Sequence, residues 1–188
     1  MKSPYILVES VYGSTQEYAT ELAKRTHGAT RPLDTTFDLA TELASEPAPV
    51  IVCAPNYGPV NKGISWLKEH ATLVREHTCA LVVVGMSLPE HARSRDAAAG
   101  ALGSLAEEVA RFYLPGRLLH SQLSAKHRSV LWSVNQMLRR KPGLNDNDRN
   151  MLAEYGKDID HVDFTNLQPV VDWWRSLTLE SVSPNPAT

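Results

Sequence analysis

Two cysteines and seven histidines are all that this 188-residue chain offers a disulfide or a soft metal, and no apolar run approaches the roughly 18 residues that a membrane-crossing helix needs. Cys53 and Cys79 each sit in an apolar, strand-like run, which is where reduced core thiols belong. The histidines show no metal-ligand spacing, so no metal is expected. The N-terminus carries one lysine and then an apolar stretch, without a secretory-signal profile, and the expected location is cytoplasmic. The chain has neither a Gly-x-Gly-x-x-Gly fingerprint nor a Gly-Lys-Ser/Thr phosphate loop, which argues against tightly held NAD and against ATP hydrolysis. Gly85-Met86-Ser87-Leu88-Pro89 begins like a nucleophile elbow, but Pro89 stands where the second glycine is required. Basic residues are not interleaved with aromatics, so nucleic acid is not an expected partner.

What is present is an ordinary globular composition, 43% apolar and 21% charged, enough for one well-buried domain over residues 1–178 with a tail at 179–188. Apolar runs alternate with helical patterns. Strands are expected at Tyr5–Glu9, Thr30–Leu33, Val50–Ala54, Ala80–Gly85 and Arg117–Leu123, with helices at Thr15–Thr26, Lys62–Arg75 and 95–114. Continuous Val/Ile/Leu runs separated by helices mark a parallel sheet covered on both faces. The fold class is therefore α/β, a doubly wound five-stranded parallel sheet for which the order 2-1-3-4-5 is suited.

Such a sheet binds ligands beyond the carboxyl ends of its strands, at the switch point. After strand one come Ser10, Val11, Tyr12, Gly13, Ser14 and Thr15, and a helix follows at once. Glycine allows close backbone approach, the hydroxyls donate, and the N–H groups of a helix start favour an anion, so this corner is a candidate phosphate cradle. Strand three ends in Ala54-Pro55-Asn56-Tyr57-Gly58 and strand four in Ser87, Leu88 and Pro89. Three small, turn-forming loops thus converge on one rim.

Together with the Trp66-Leu67-Lys68-Glu69-His70-Ala71 helix, these loops resemble the flavodoxin-like family, and within it the branch containing menaquinone-dependent protoporphyrinogen oxidases. The resemblance implies FMN, with its phosphate at Ser10, Val11, Tyr12, Gly13, Ser14 and Thr15 and its ring between Asn56, Tyr57, Gly58 and Ser87, Leu88, Pro89. It also implies a quinone or other acceptor, and a porphyrinogen substrate. In this branch an amphipathic helix follows the last strand, here Lys126–Arg140 within an insertion spanning 126–165, and a closing helix follows at Leu167–Leu177.

The chain departs from that pattern in two places. Many flavodoxins have Thr where Tyr12 stands, and the third loop offers His91, Arg93 and Arg95 in place of an aromatic cover for the ring. Residues 111–141 hold seven Arg or Lys and no acid, namely Arg111, Arg117, Lys126, Arg128, Arg139, Arg140 and Lys141. Val130, Leu131, Val134, Met137 and Leu138 share one helical face there, so the 126–141 segment reads as a cationic amphipathic helix suited to packing, to a homodimer, or to peripheral membrane contact. His70 is expected on the inward side of its helix. Asn145 or Asp146 is expected to cap a helix start, and Thr165 or Asn166 to cap the last helix. The leading functional reading is an FMN-dependent oxidoreductase. An electron carrier without a substrate of its own and a flavin-free interaction module remain as alternatives.

Overall fold

A computed structural model describes residues 2–34, 38–56 and 61–180. Tyr57 and Gly58, and the tail from residue 181, lie outside them. Five strands, β1 (Tyr5–Val8), β2 (Ala29–Pro32), β3 (Val50–Pro55), β4 (Cys79–Gly85) and β5 (Val109–Pro115), form an all-parallel sheet in the order β2-β1-β3-β4-β5. The expected doubly wound α/β sheet is thus present, order included.

Successive residues of a strand point to opposite faces, and the sheet sorts its side chains accordingly. Ile6, Val8, Ile51, Cys53, Val82 and Val84 form one core with Tyr18 and Leu22 of α1 (Ser14–Thr26) and Val170 and Val171 of the closing helix. Leu7, Val50, Val52 and Leu81 form the other. That second core is covered by α2 (Leu39–Ser45), α3 (Lys62–Glu69), α4 (Ala71–Glu76) and, after α5 (Pro89–Arg95), by α6 (Ala97–Leu102). Cys53 and Cys79 are buried free thiols, and burial pushes each pKa up to about 12, which leaves both chemically quiet.

Strand five corrects the sequence reading. The alanine-rich helix ends at Leu102, Gly103 takes φ +63, and the chain then becomes β5 at Val109–Pro115, within the span expected to be helical. This strand lies at the sheet edge, so its middle residues are only half-buried and mix Arg111 with Phe112 and Tyr113, which hides it from a search for continuous apolar runs. Of the residues expected as strand five, Arg117–Leu119 alone form a strand among the described residues. They form β6, which pairs antiparallel with β7 (Asp158–Asp160) in a separate two-stranded sheet. The helix expected over Lys62–Arg75 is two helices. His70 breaks it with φ −105 and ψ 35, is exposed, and stacks on Trp66 with ring centroids 4.2 Å apart, so it does not face inward as expected.

Between β6 and β7 lie α7 (Ala125–Arg140) and α8 (Asp146–Glu154). Asn145 caps α8 in a reciprocal box: its side chain accepts from Asp148 N–H at 2.8 Å, and Asp148 accepts from Asn145 N–H at 3.1 Å. At the far end Asp163 takes the role expected of Thr165 or Asn166. It accepts from Thr165 N–H at 2.9 Å and starts a 3-10 turn, Phe164–Leu167, that runs into α9 (Gln168–Glu180). No described helix is long and apolar enough to cross a membrane.

Candidate functional site

Because β1, β3 and β4 are neighbours and parallel, their carboxyl-end loops share one rim. At the first, Gly13 is the residue before α1 and takes φ +93, a conformation that side chains resist. Ser10 Oγ accepts from Gly13 N–H at 3.2 Å and from Gln16 N–H at 3.3 Å, folding the loop over the helix start. Ser14 and Thr15, the first helical residues, are 5% and 1% exposed, and neither hydroxyl bonds another described residue. Val11 is exposed. Tyr12 points elsewhere. Its hydroxyl is hydrogen-bonded to His127 Nδ1 at 2.7 Å and accepts from Ser124 N–H at 3.2 Å, at the start of α7.

The second loop begins at Asn56, which is exposed while its N–H donates to Val84 O at 2.8 Å. Tyr57 and Gly58 lie outside the described residues. Asn61, which the sequence reading missed, closes the loop: Nδ2 donates to Pro55 O at 3.3 Å and Oδ1 accepts from Ile64 N–H at 3.1 Å, so it caps α3. In the third loop Ser87, Leu88 and Pro89 are half-buried, with Pro89 in the first turn of α5. Tyr113 of β5 donates its hydroxyl to Ser87 O at 3.0 Å, and burial pushes its pKa upward. A Cβ at Gly85 beneath it would come within 2.9 Å of the Tyr113 oxygen, so the glycine leaves that hydroxyl its place. Leu88 N–H donates to Oδ1 of Asn147 on α8 at 2.8 Å. Tyr113 lay inside an expected helix and Asn147 just past the expected caps Asn145 and Asp146, and neither carried a local motif.

Asn56 and Ser87 also open onto a groove of about 1560 Å³ between α3, α5, α6 and β5 on one side and α7 and α8 on the other. Its apolar wall includes Ile64, Phe112, Trp132, Val134 and Met137, with Trp132 56% and Met137 62% exposed. Lys68, His91, Arg93, Arg95, Arg111, Arg140 and Lys141 also line it, against only Asp96 and Asp148. Arg111 pairs with Asp96 at 2.9 Å, and Lys141 pairs with Asp148. Arg93, Arg95 and Arg140 have no carboxylate partner among the described residues, which leaves the groove cationic. Ser10 to Thr15 do not line it.

The family model described as flavodoxin domain matches residues 5–145, three quarters of the chain. The chain belongs to the flavodoxin domain family. No curated protein and no solved structure matches it. The matched span runs from β1 through α7 and stops at Asn145, the cap of α8.

Flavodoxin domains commonly bind FMN, and the first loop fits its phosphate in donor chemistry. Gly13 leaves space, with Glu17 Oε1 at 3.8 Å the nearest atom to a Cβ there, and the Ser14 and Thr15 hydroxyls stand at a helix start. Glu17 is an acid in that first turn, and Arg117 neutralises it. The Tyr12 hydroxyl is committed to α7 and does not join the donor set.

Proposed function

We propose that the protein is an FMN-dependent oxidoreductase whose substrate lies in the cationic groove beside the strand-carboxyl rim. The observation that carries this reading is the adjacency of the two features: the loops holding Asn56 and Ser87 end in a groove of about 1560 Å³ with apolar walls and unpaired arginines. A flavodoxin that only carries electrons has no need of such a chamber. When bound, FMN would supply a hydride acceptor that a quinone can re-oxidise. The chain's own residues bind and orient. Ser14 and Thr15 donate to the phosphate, Tyr113 holds Ser87 in place, and Arg93, Arg95 and Arg140 attract anionic groups.

A bulky apolar macrocycle bearing carboxylates suits those walls, and a porphyrinogen is the substrate of that kind we propose, with oxidation passing electrons to a quinone. Trp132 and Met137 line the groove yet are 56% and 62% exposed, so with Arg140 they form its open rim, which would meet an anionic membrane face where quinone resides. The protein would then act in the cytoplasm, peripheral to the bilayer. The deciding experiment is titration of the purified protein with FMN, followed by quinone-dependent oxidation of a porphyrinogen. FMN binding with no turnover of any such donor would leave an electron carrier. Absence of FMN binding would leave a flavin-free interaction module, the reading that the diverted Tyr12 hydroxyl favours.

A further inference from the structure

The insertion between β6 and β7 touches the rim at two places, through Asn147 and through Tyr12. From α8, Asn147 is 6% exposed and accepts the Leu88 N–H at 2.8 Å, while its Nδ2 donates to Met151 Sδ at 3.5 Å. A buried amide aimed at one backbone N–H is costly to misplace, because a lost bond leaves both groups unsatisfied. At the start of α7, Tyr12 of the first loop accepts the Ser124 N–H at 3.2 Å and is hydrogen-bonded to His127 Nδ1 at 2.7 Å, its ring edge-on to the imidazole at 5.6 Å. The Ser124 side chain in turn accepts from His127 N–H at 3.2 Å, so the Tyr12 contact sits on the cap of α7 itself. Elsewhere α7 packs chiefly on α8, and Val130, Trp132 and Met137 are left exposed. The insertion is therefore held at its base by the β6–β7 pair and at its top by these two latches, one on the first and one on the third of the loops that would contact FMN.

We propose that Asn147 and Tyr12 are positioning residues that couple cofactor binding to the order of the insertion, so that FMN fixes the wall of the substrate groove. Thermodynamic linkage makes the coupling reciprocal: a ligand that narrows the conformations of Leu88 and Tyr12 strengthens both latches, and loss of a latch weakens the ligand. The inference rests on the FMN reading above and deepens it.

The test compares wild type, Asn147→Ala, Asn147→Asp and Tyr12→Phe by FMN fluorescence titration and by hydrogen exchange with and without FMN. In wild type, FMN should slow exchange across 125–154, although the helices lie outside the cofactor loops. Asn147→Ala should weaken FMN about tenfold, within the usual range for coupled sites, and should abolish the FMN-induced protection of α8. Asn147→Asp, which keeps an acceptor for Leu88, should restore both, an outcome that general loss of stability would not give. Tyr12→Phe keeps the ring and removes the oxygen, and should lose protection at the start of α7. FMN binding to wild type without slower exchange in the insertion, or undiminished affinity in Asn147→Ala, overturns this inference alone. Failure of wild type to bind FMN overturns it together with the FMN reading.

Discussion

The Arg117 guanidinium grips the Glu17 carboxylate with two parallel bonds, Nη1 to Oε1 at 2.7 Å and Nη2 to Oε2 at 3.1 Å, while Nε donates to Asp160 at 2.8 Å. Glu17 lies in the first turn of α1, and Arg117 and Asp160 are opposed on β6 and β7. One cation thus ties the base of the insertion to the helix that would hold a phosphate. Both carboxylates push the arginine pKa further up, so it stays charged at any working pH.

Arg117→Ala should cost little stability, about 1 kcal/mol or less, because all three side chains are partly solvated. Its larger effect should fall on anion binding. The bare Glu17 carboxylate beside Gly13 would repel a phosphate, so FMN affinity should drop and the drop should shrink with added salt. Glu17→Gln in the same background should restore it. Titration with FMN at low and high ionic strength checks this, and equal affinities of Arg117→Ala and wild type would remove Glu17 from the phosphate's surroundings.

Gly13→Val addresses the same loop through the backbone. At φ +93 a β-branched residue costs roughly 1–3 kcal/mol, and the loop escapes the strain by shifting. The nearest atom is 3.8 Å away, so the sheet should fold with an unchanged circular-dichroism spectrum while FMN binding is lost. Thr15→Ala should be milder, removing one hydrogen bond to a charged group worth about 1.5–3 kcal/mol. FMN fluorescence quenching measures both.

The three inner strands, β1, β3 and β4, were legible because burial on both faces writes itself as uninterrupted Val, Ile and Leu, and the Ser10–Thr15 corner because a strand, a glycine and a helix start are contiguous. The edge strand β5 was not, since an edge needs no apolar run and Arg111 there answers to Asp96, the cap of α6, at 2.9 Å. Nor was the division of labour among the seven cations of 111–141. Arg111, Arg117 and Lys141 each meet a carboxylate from another part of the chain, and only the four on α7, Lys126, Arg128, Arg139 and Arg140, lack such a partner among the described residues. Val130, Val134 and Met137 did share a helical face, yet Met137 is 62% exposed, because what lies opposite α7 is a groove and not a core. Pairings between residues far apart in sequence leave no periodicity.

Acid should loosen the insertion before the sheet. Asp148 is held below the usual carboxylate range first by Lys141, Asp158 by the Ser121 hydroxyl and N–H, and Asp163 by the Thr165 N–H. A depressed folded-state pKa contributes stability above the unfolded value, near 4, that is lost as pH falls through the folded value. Below about pH 4 these three anchors should therefore fail together. Asp148 caps α8, Asp158 sits on β7 and Asp163 starts the turn before α9. Hydrogen exchange at pH 3 should show 145–163 opening while Val50–Pro55 and Cys79–Gly85 stay protected. Asp148→Asn should reduce the pH dependence at α8, and simultaneous loss of protection in the sheet would contradict the order.

The groove supplies the last test. Arg93 and Arg95 line it from α5 and Arg140 from α7, none with a carboxylate partner among the described residues. Lys141 is excluded from the experiment, because its loss would leave the Asp148 carboxylate of the α8 capping box without its cation. If the arginines attract substrate carboxylates, Arg93→Gln with Arg140→Gln should raise the KM for an anionic porphyrinogen about tenfold, a change of about 1.4 kcal/mol, and leave kcat near its wild-type value. FMN content should not change, since Arg93, expected in the third loop, lies instead on α5 and Arg140 on α7, both beyond the Ser87 to Pro89 turn. The KM increase should fade at high ionic strength, where the wild type loses the same attraction. A neutral ester of the same porphyrinogen should be oxidised equally by both proteins. A double variant that keeps the wild-type KM for the acid would mean that the unpaired arginines serve the outer surface of the insertion, and binding to anionic vesicles, with Trp132 fluorescence as the probe, would then be the property they lose.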